Sequence, residues 1–302
     1  MKMQSCSRGL RELCRLLGFS PQAYYQHQKL LGKRALEADL LIQQVLEHRI
    51  PQPRVGGRKL HELMEPFMKE HDIYIGRDLF FDLLRENDLL IGKRRRSQPR
   101  TTDSNHWMRR YPDLIRDITL SRADELWVSD ITYIRLKKKK FAYLSLVTDA
   151  YSRKIVGFCM HIDLTADGPL KALEMALKGR AGPAHAGLIH HSDRGSQYCA
   201  DGYISLLKAG AIDISMTQSG NPRDNAIAER VNGILKQELL EEVYANIRQA
   251  QCSAVIAIDT YNRIRPHSSV DMMTPEKAHM QTGPIKRRWR SLFKAPVKQP
   301  AA

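Results

Sequence analysis

Three acidic residues punctuate this chain between positions 130 and 229, each in a separate, well-formed segment. Asp130 lies in Trp127-Val-Ser-Asp-Ile-Thr-Tyr133, a β-branched and aromatic run that reads as a strand. Asp193 follows the short apolar run Leu188-Ile-His-His191, which reads as a second delivering strand. Glu229 lies in Asp224-Asn-Ala-Ile-Ala-Glu-Arg-Val-Asn-Gly233, at the start of a helix expected over 225–242. Thirty-five residues separate Asp193 from Glu229. Around these anchors, 141–147 and 155–160 read as strands, joined by Asp149-Ala-Tyr-Ser-Arg-Lys154. Lys137–Lys140 forms a polar turn between the first two strands. Residues 167–178 read as an amphipathic helix, 203–209 as another, and 212–216 as a strand. Few chain paths satisfy that order while bringing acids on strands and a helix to one place.

Three strands, helix, strand, helix, strand, helix is the order of a ribonuclease-H-like α/β fold, with a mixed sheet between helices. Acids gathered at strand ends and on a helix can hold two divalent metals, which suits in-line displacement at a phosphodiester. Magnesium prefers carboxylate oxygens and keeps several waters, so few protein ligands suffice. Asp130, Asp193 and Glu229 are therefore the expected catalytic residues and metal ligands. Two Mg²⁺ ions are expected, with Mn²⁺ able to substitute.

Charge points to a polyanionic partner. The 302 residues carry a formal net charge of +15. Residues 1–120 hold 22 Lys/Arg against 15 Asp/Glu, and 281–302 hold six cations and no acid. The central block, 121–280, is nearly balanced at 20 against 18. Basic flanks around an acidic centre suit arms that bind phosphate around a core that binds metal. The five cysteines show no Cys-x-x-Cys spacing, so neither a disulfide framework nor a zinc site is indicated. Buried thiols in a reducing cytoplasm are the expectation. No apolar run of 18 residues could span a membrane, and no N-terminal stretch reads as a signal peptide.

Ahead of the core, 9–28 reads as two short helices around Gly18, with Ser20-Pro21 as cap and first helical position. A helical block follows from about Ala35 to Leu90, with apolar faces Leu36/Leu40/Leu41/Val45, Leu60/Leu63/Met64/Phe67 and Leu79/Phe80/Leu83/Leu84. The expected division is a short helical segment at 1–34 and a helical domain at 35–92. A basic linker at 93–120, the core at 121–280 and a basic tail at 281–302 complete it. Lys93-Arg-Arg-Arg96 opens the linker and is expected to lie on DNA. Lys286-Arg-Arg-Trp-Arg290 suits a phosphate-tracking tail.

The three acidic segments resemble the integrase core of bacterial insertion-sequence transposases and, more distantly, of retroviral integrases. Ser215-Met-Thr-Gln-Ser-Gly-Asn-Pro-Arg-Asp-Asn-Ala226 resembles that family's loop before the glutamate. Tyr261-Asn-Arg-Ile-Arg-Pro-His267 with Thr274-Pro275 resembles its C-terminal signature. The likeness covers roughly 35–280 and is strongest to OrfB-type catalytic subunits. It implies a helix-turn-helix-like domain before the core, with Arg77 and Arg85 on a DNA-facing helix. It implies a DNA-end contact for Lys236, seven residues after Glu229. Asn225, four residues before Glu229, could orient that acid or hold a terminal nucleotide. Arg265 is a candidate for either structure or DNA contact. His190 and His191 are candidates for support beneath the second aspartate or for satisfied core histidines. The chain departs from the family around positions 218 and 219, where basic residues are usual, and at Arg230.

The expected activity is that of a DNA transposase. Water cuts the phosphodiester at the element's end, and the freed 3′ hydroxyl then attacks another strand. Its partners would be terminal inverted repeats, target DNA, further copies of itself on DNA, and the product of an upstream overlapping reading frame. The alternatives are a nuclease or resolvase of the same fold, which cuts without joining, and a domesticated DNA-binding protein. The retained carboxylates argue against the last.

Overall fold

The computed structural model describes residues 9–92, 109, 111–116, 118–180, 187–218, 225–286 and 288. The basic run Lys93, Arg94, Arg95 and Arg96 lies outside these residues, as does the loop at 219–224. The chain divides into two compact units, Met1–Gly92 and Lys93–Ala302.

In the first unit, α1 (Leu10–Leu16) is followed by α2 (Pro21–Arg49). Ser20 caps α2, its hydroxyl accepting from the Ala23 amide at 3.0 Å, and Pro21 begins it as expected. The second helix is not short. It runs 29 residues through Gly32 without a break. One interior glycine costs only about 1 kcal/mol against alanine. With no proline or turn cluster nearby, propagation continues. Then come α3 (Gly57–Leu63), α4 (Glu65–Glu70) and α5 (Arg77–Glu86). Leu41 and Val45 of α2 pack with Leu60, Met64, Phe80 and Leu84 in one cluster. Leu36, expected on that apolar face, is 61% exposed.

In the second unit, β1 (Leu126–Arg135), β2 (Phe141–Asp149) and β3 (Ile155–His161) form an antiparallel meander. Next come α6 (Asp167–Gly179), β4 (Ile189–Ser192), α7 (Asp201–Ala209) and β5 (Asp213–Met216). The sheet order is β3-β2-β1-β4-β5, with β4 parallel to both β1 and β5. This is the mixed sheet expected of a ribonuclease-H-like fold. One face packs Trp127 and Val147 against Ala172, Leu173 and Ala176 of α6 and Tyr203 and Leu207 of α7. Gly157 on β3 makes that approach possible: a Cβ there would lie 2.0 Å from the Ala172 carbonyl oxygen.

The other face carries α8 (Ala226–Ile234) and α9 (Ile247–Arg263), with Leu144, Leu146, Val231, Ile234, Ala257, Ile258 and Tyr261 in one cluster. The helix expected over 225–242 is shorter. After Ile234 a π-helical turn, Leu235–Leu239, widens it, and the backbone leaves helical geometry at Leu240. Sequence reading passed over α9. Its signals were present: Asn246 as a cap accepting from the Gln249 amide at 2.9 Å, then apolar residues at 250, 254, 257, 258 and 261.

Candidate active site

Strand register brings the two aspartates together. In the parallel pairing of β1 with β4, Val128 stands opposite His191. Two residues further along each chain are Asp130 and Asp193. Neighbouring strands lie about 4.8 Å apart, so the two residues emerge near each other, and the negative charge of Asp193 acts on Asp130. Asp193 comes just after β4 ends, where its carboxylate accepts from the Gly195 amide at 2.9 Å. A side chain at Gly195 would come within 3.0 Å of that same carboxylate oxygen.

Asp130 feels this crowding. Its carboxyl is pushed up to about 7, first by burial and then by the negative charge of Asp193. Glu229 adds a smaller push in the same direction. Asn232 opposes the shift, its Nδ2 donating to the Asp130 carboxylate at 2.8 Å. The residue is partly exposed by area, so a ligand can reach a carboxyl that the protein otherwise surrounds.

The third acid is placed differently. Glu229 sits in the first turn of α8 and is exposed, its pKa raised by partial burial. Among the described residues no three His, Cys, Asp or Glu side chains are gathered at metal-ligand spacing. The geometry is therefore an aspartate pair with a glutamate at its rim. Like charges repel where no cation lies between them.

α8 is anchored to β1 at two points. Asn225, at its N-cap, donates to the Ser129 carbonyl at 2.8 Å, and Asn232 reaches Asp130. Asn225 is buried. In this structure its amide nitrogen anchors the helix, a buried donor satisfied by a backbone carbonyl. Asn232 was missed by sequence reading. The available signal was an asparagine three residues after Glu229, in an otherwise apolar helix face with Ala228 and Val231. Its Oδ1 is buried and has no hydrogen-bond partner among the described residues.

Lys236 lies within the π-helical turn, so it is not simply two α-helical turns beyond Glu229. It is nonetheless close to the site. Burial lowers its pKa, Asp130 raises it, and Arg135 lowers it again. Arg265, expected either in structure or on DNA, makes a structural contact. It is 2% exposed, and its guanidinium grips Glu238 of the same π turn through two bonds of 2.8 and 2.9 Å. A buried bidentate pair leaves no donor fork for DNA. Arg77 and Arg85 are exposed on α5, paired with Asp78 and Asp82 of the same helix. His190 and His191 are buried core histidines. His190 Nε2 shares bonds with the Ser129 hydroxyl at 2.7 Å and the Tyr203 hydroxyl at 2.9 Å. His191 Nδ1 meets the Ser215 hydroxyl at 2.8 Å. Burial holds His190 neutral, lowering it to about 3.

Comparison with known proteins falls on these residues. The integrase core domain family matches residues 121–222, and a second integrase core domain family matches 210–275. The Insertion element IS600 uncharacterized 31 kDa protein of Shigella sonnei is 34% identical over 278 residues, covering 88% of this chain and 98% of that protein. The transposase for insertion sequence element IS629, also of Shigella sonnei, is 27% identical over 278 residues, covering 85% and 86% respectively. The HTLV-2 integrase catalytic core domain in complex with magnesium matches at TM-score 0.41 and 19% identity, over 52% of this chain and 97% of that one. The two matched core families between them span Asp130, Asp193 and Glu229, and the full-length likeness extends the relationship beyond the core, so this chain belongs to the insertion-sequence transposases with an integrase core.

Proposed function

We propose that Asp130, Asp193 and Glu229 are the catalytic carboxylates of this transposase. In this reading they hold divalent metal while a phosphodiester at the element's end is cut and joined to another strand. The observation that supports the reading is the β1–β4 register, which brings Asp130 close to Asp193, where burial first and the Asp193 charge second push the Asp130 carboxyl up to about 7. The donor set fits a hard divalent cation. It is all oxygen, its charges repel, and an unpartnered Asn232 amide oxygen lies beside it. Two Mg²⁺ ions, replaceable by Mn²⁺, are the proposed complement. Bound there, they would supply charge stabilisation at the phosphoryl group and a lowered pKa for the attacking hydroxyl.

The chain's own contribution is positional. β1 and the end of β4 bring the two aspartates close, and Asn232 orients the Asp130 carboxylate. Glu229 closes on the pair from α8 once the repulsion is neutralised. Lys236 sits where a DNA phosphate near Asp130 would meet a cation. The first unit, the linker at 93–96 and the tail after 281 supply further phosphate contacts. The proposed partners are the element's terminal repeats, target DNA, further copies of this chain on DNA and the product of an upstream reading frame.

The test uses the full chain with a duplex carrying the element's end. Asp130→Asn, Asp193→Asn and Glu229→Gln should each abolish cleavage and joining in Mg²⁺ while leaving end binding in place. A chelator should abolish both reactions. Normal cutting by Glu229→Gln, or activity that survives the chelator, would sink the assignment. Cutting without joining by the unaltered chain would favour a nuclease.

A further inference from the structure

β1 and β2 are joined by a turn that local energetics alone would not choose. Lys140 donates its amide to the Lys137 carbonyl at 3.4 Å, closing a four-residue turn with Lys138 and Lys139 at its centre. Their φ angles are +59° and +58°. Positive φ at both central positions is the sign pattern of a type I′ turn, whose preferred sequence is Asn-Gly. Here two lysines occupy left-handed backbone, flanked by two more. All four are exposed, and among the described residues none has a carboxylate partner. Strain and like-charge repulsion therefore coincide at one exposed tip. Such costs persist where the surrounding structure over-determines them, and they cluster at functional sites.

The surroundings do over-determine this tip. Lys137 donates its amide to the Tyr244 carbonyl at 2.8 Å, and Tyr244 returns a bond to the Arg135 carbonyl at 3.0 Å. Tyr244 is fully buried, so the hairpin is braced along one flank. β4 ends at Ser192, whereas β1 continues to Arg135. The hairpin thus projects past the carboxylate end of β4. Exposed Arg135 and half-buried Lys236 lie along the way, each within electrostatic reach of the other, and Lys236 within reach of Asp130. The positive charge therefore runs from the acid pair to the tip.

We propose that the Lys137–Lys140 tip is a duplex-DNA contact of the catalytic unit, gripping phosphodiester backbone roughly 20–25 Å from the Asp130–Asp193 pair at about 3.4 Å per strand residue. It rests on the reading of this chain as an enzyme that acts on duplex DNA. A compact point charge on a flexible stem suits phosphate without sequence preference, so the contact positions DNA and does not read it. The same chemistry serves target DNA or the DNA flanking the element's end.

The test is a full-length variant carrying Lys137→Gln, Lys138→Asn, Lys139→Gly and Lys140→Gln, which removes the charge and suits the turn better. Its melting temperature should equal or exceed the parent's, confirming a folded protein. Binding to a duplex of arbitrary sequence should weaken, and the slope of log affinity against log salt should shrink by about 2 to 3, at ~0.9 per phosphate contact. Joining of a pre-cut element end into a supercoiled plasmid should fall at least tenfold. A larger fall in joining than in end cleavage places target DNA on the tip; an equal fall in both places the flanking DNA there. An unchanged salt slope with unchanged joining would overturn the proposal and leave a solvated turn. Asp193→Asn separates this reading from the catalytic one. It should lose cleavage yet keep the parental salt slope, so a failure of the carboxylate assignment would leave the hairpin measurement readable.

Discussion

The strand-borne and helix-borne halves of the site are built by different physics. Asp130 lies on β1 and Asp193 just past the end of β4, two residues beyond the last paired positions of these parallel strands. The Asp130 carboxyl is raised first by burial and then by the charge of Asp193. Glu229 and Lys236 come from α8 and the π turn, elements that reach the sheet through Asn225, Asn232 and side-chain packing. Glu229 remains exposed at the rim. A ladder resists adjustment, whereas a docked helix can shift by small amounts at modest cost. The fixed half thus stores electrostatic tension, and the adjustable half can respond when that tension is relieved.

The largest expected effects test whether both halves act as one unit. Asp130→Asn and Glu229→Gln should each reduce cleavage by about 10³-fold or more, with the double change hardly worse than either. Cleavage rates of element-end duplex check this. Additive losses would mean that the halves act separately.

Next comes the buried pair that holds the π turn. Arg265→Met strands Glu238, and breaking a buried pair costs about 3–5 kcal/mol. Denaturant unfolding should show that loss, whereas Arg77→Ala and Arg85→Ala should leave the unfolding midpoint unmoved. Arg265→Met should also depress joining in conditions where the protein is folded, because Lys236 rides on the same turn.

Smaller is the anchor of α8. Asn225→Ala leaves the buried Ser129 carbonyl without its donor and should cost about 1–2 kcal/mol. Its loss of activity should be matched by weaker protection of α8 amides in hydrogen exchange. Normal protection would mean that packing alone seats the helix.

The smallest effect distinguishes the halves by pH. The folded Asp130 carboxyl titrates near 7, above its ordinary value of 3.8. The folded state therefore favours the protonated form. Stability from this group is full below about pH 4 and is lost as pH rises through 7. The metal-free protein should melt a few degrees lower at pH 8 than at pH 5.5 from this cause, and Asp130→Asn should flatten that difference. Mg²⁺ should restore stability at pH 8. Thermal melts at both pH values decide it, and a dependence that survives Asp130→Asn would place the tension elsewhere.

Much of this arrangement was legible in the residues. Apolar, β-branched and aromatic runs marked the five strands within a residue or two, because composition is a local property. The acids stood out because each lies in a well-formed segment of its own, and composition announced a polyanionic partner. What pattern reading could not supply was any quantity set by contacts distant in sequence. Arg265 reads equally as a structural residue or a DNA contact until Glu238, 27 residues away, is found against it. Asn225 reads as a neighbour of Glu229 until the Ser129 carbonyl, 96 residues away, takes its amide. The π turn that redirects Lys236 leaves no mark in helical periodicity. The order of elements and the identity of the acids belong to the sequence, since they follow from local backbone preference and side-chain chemistry. The pairing of the aspartates, the outlying glutamate and the burial of an arginine belong to the tertiary structure, because electrostatics and desolvation depend on which charges the fold brings close.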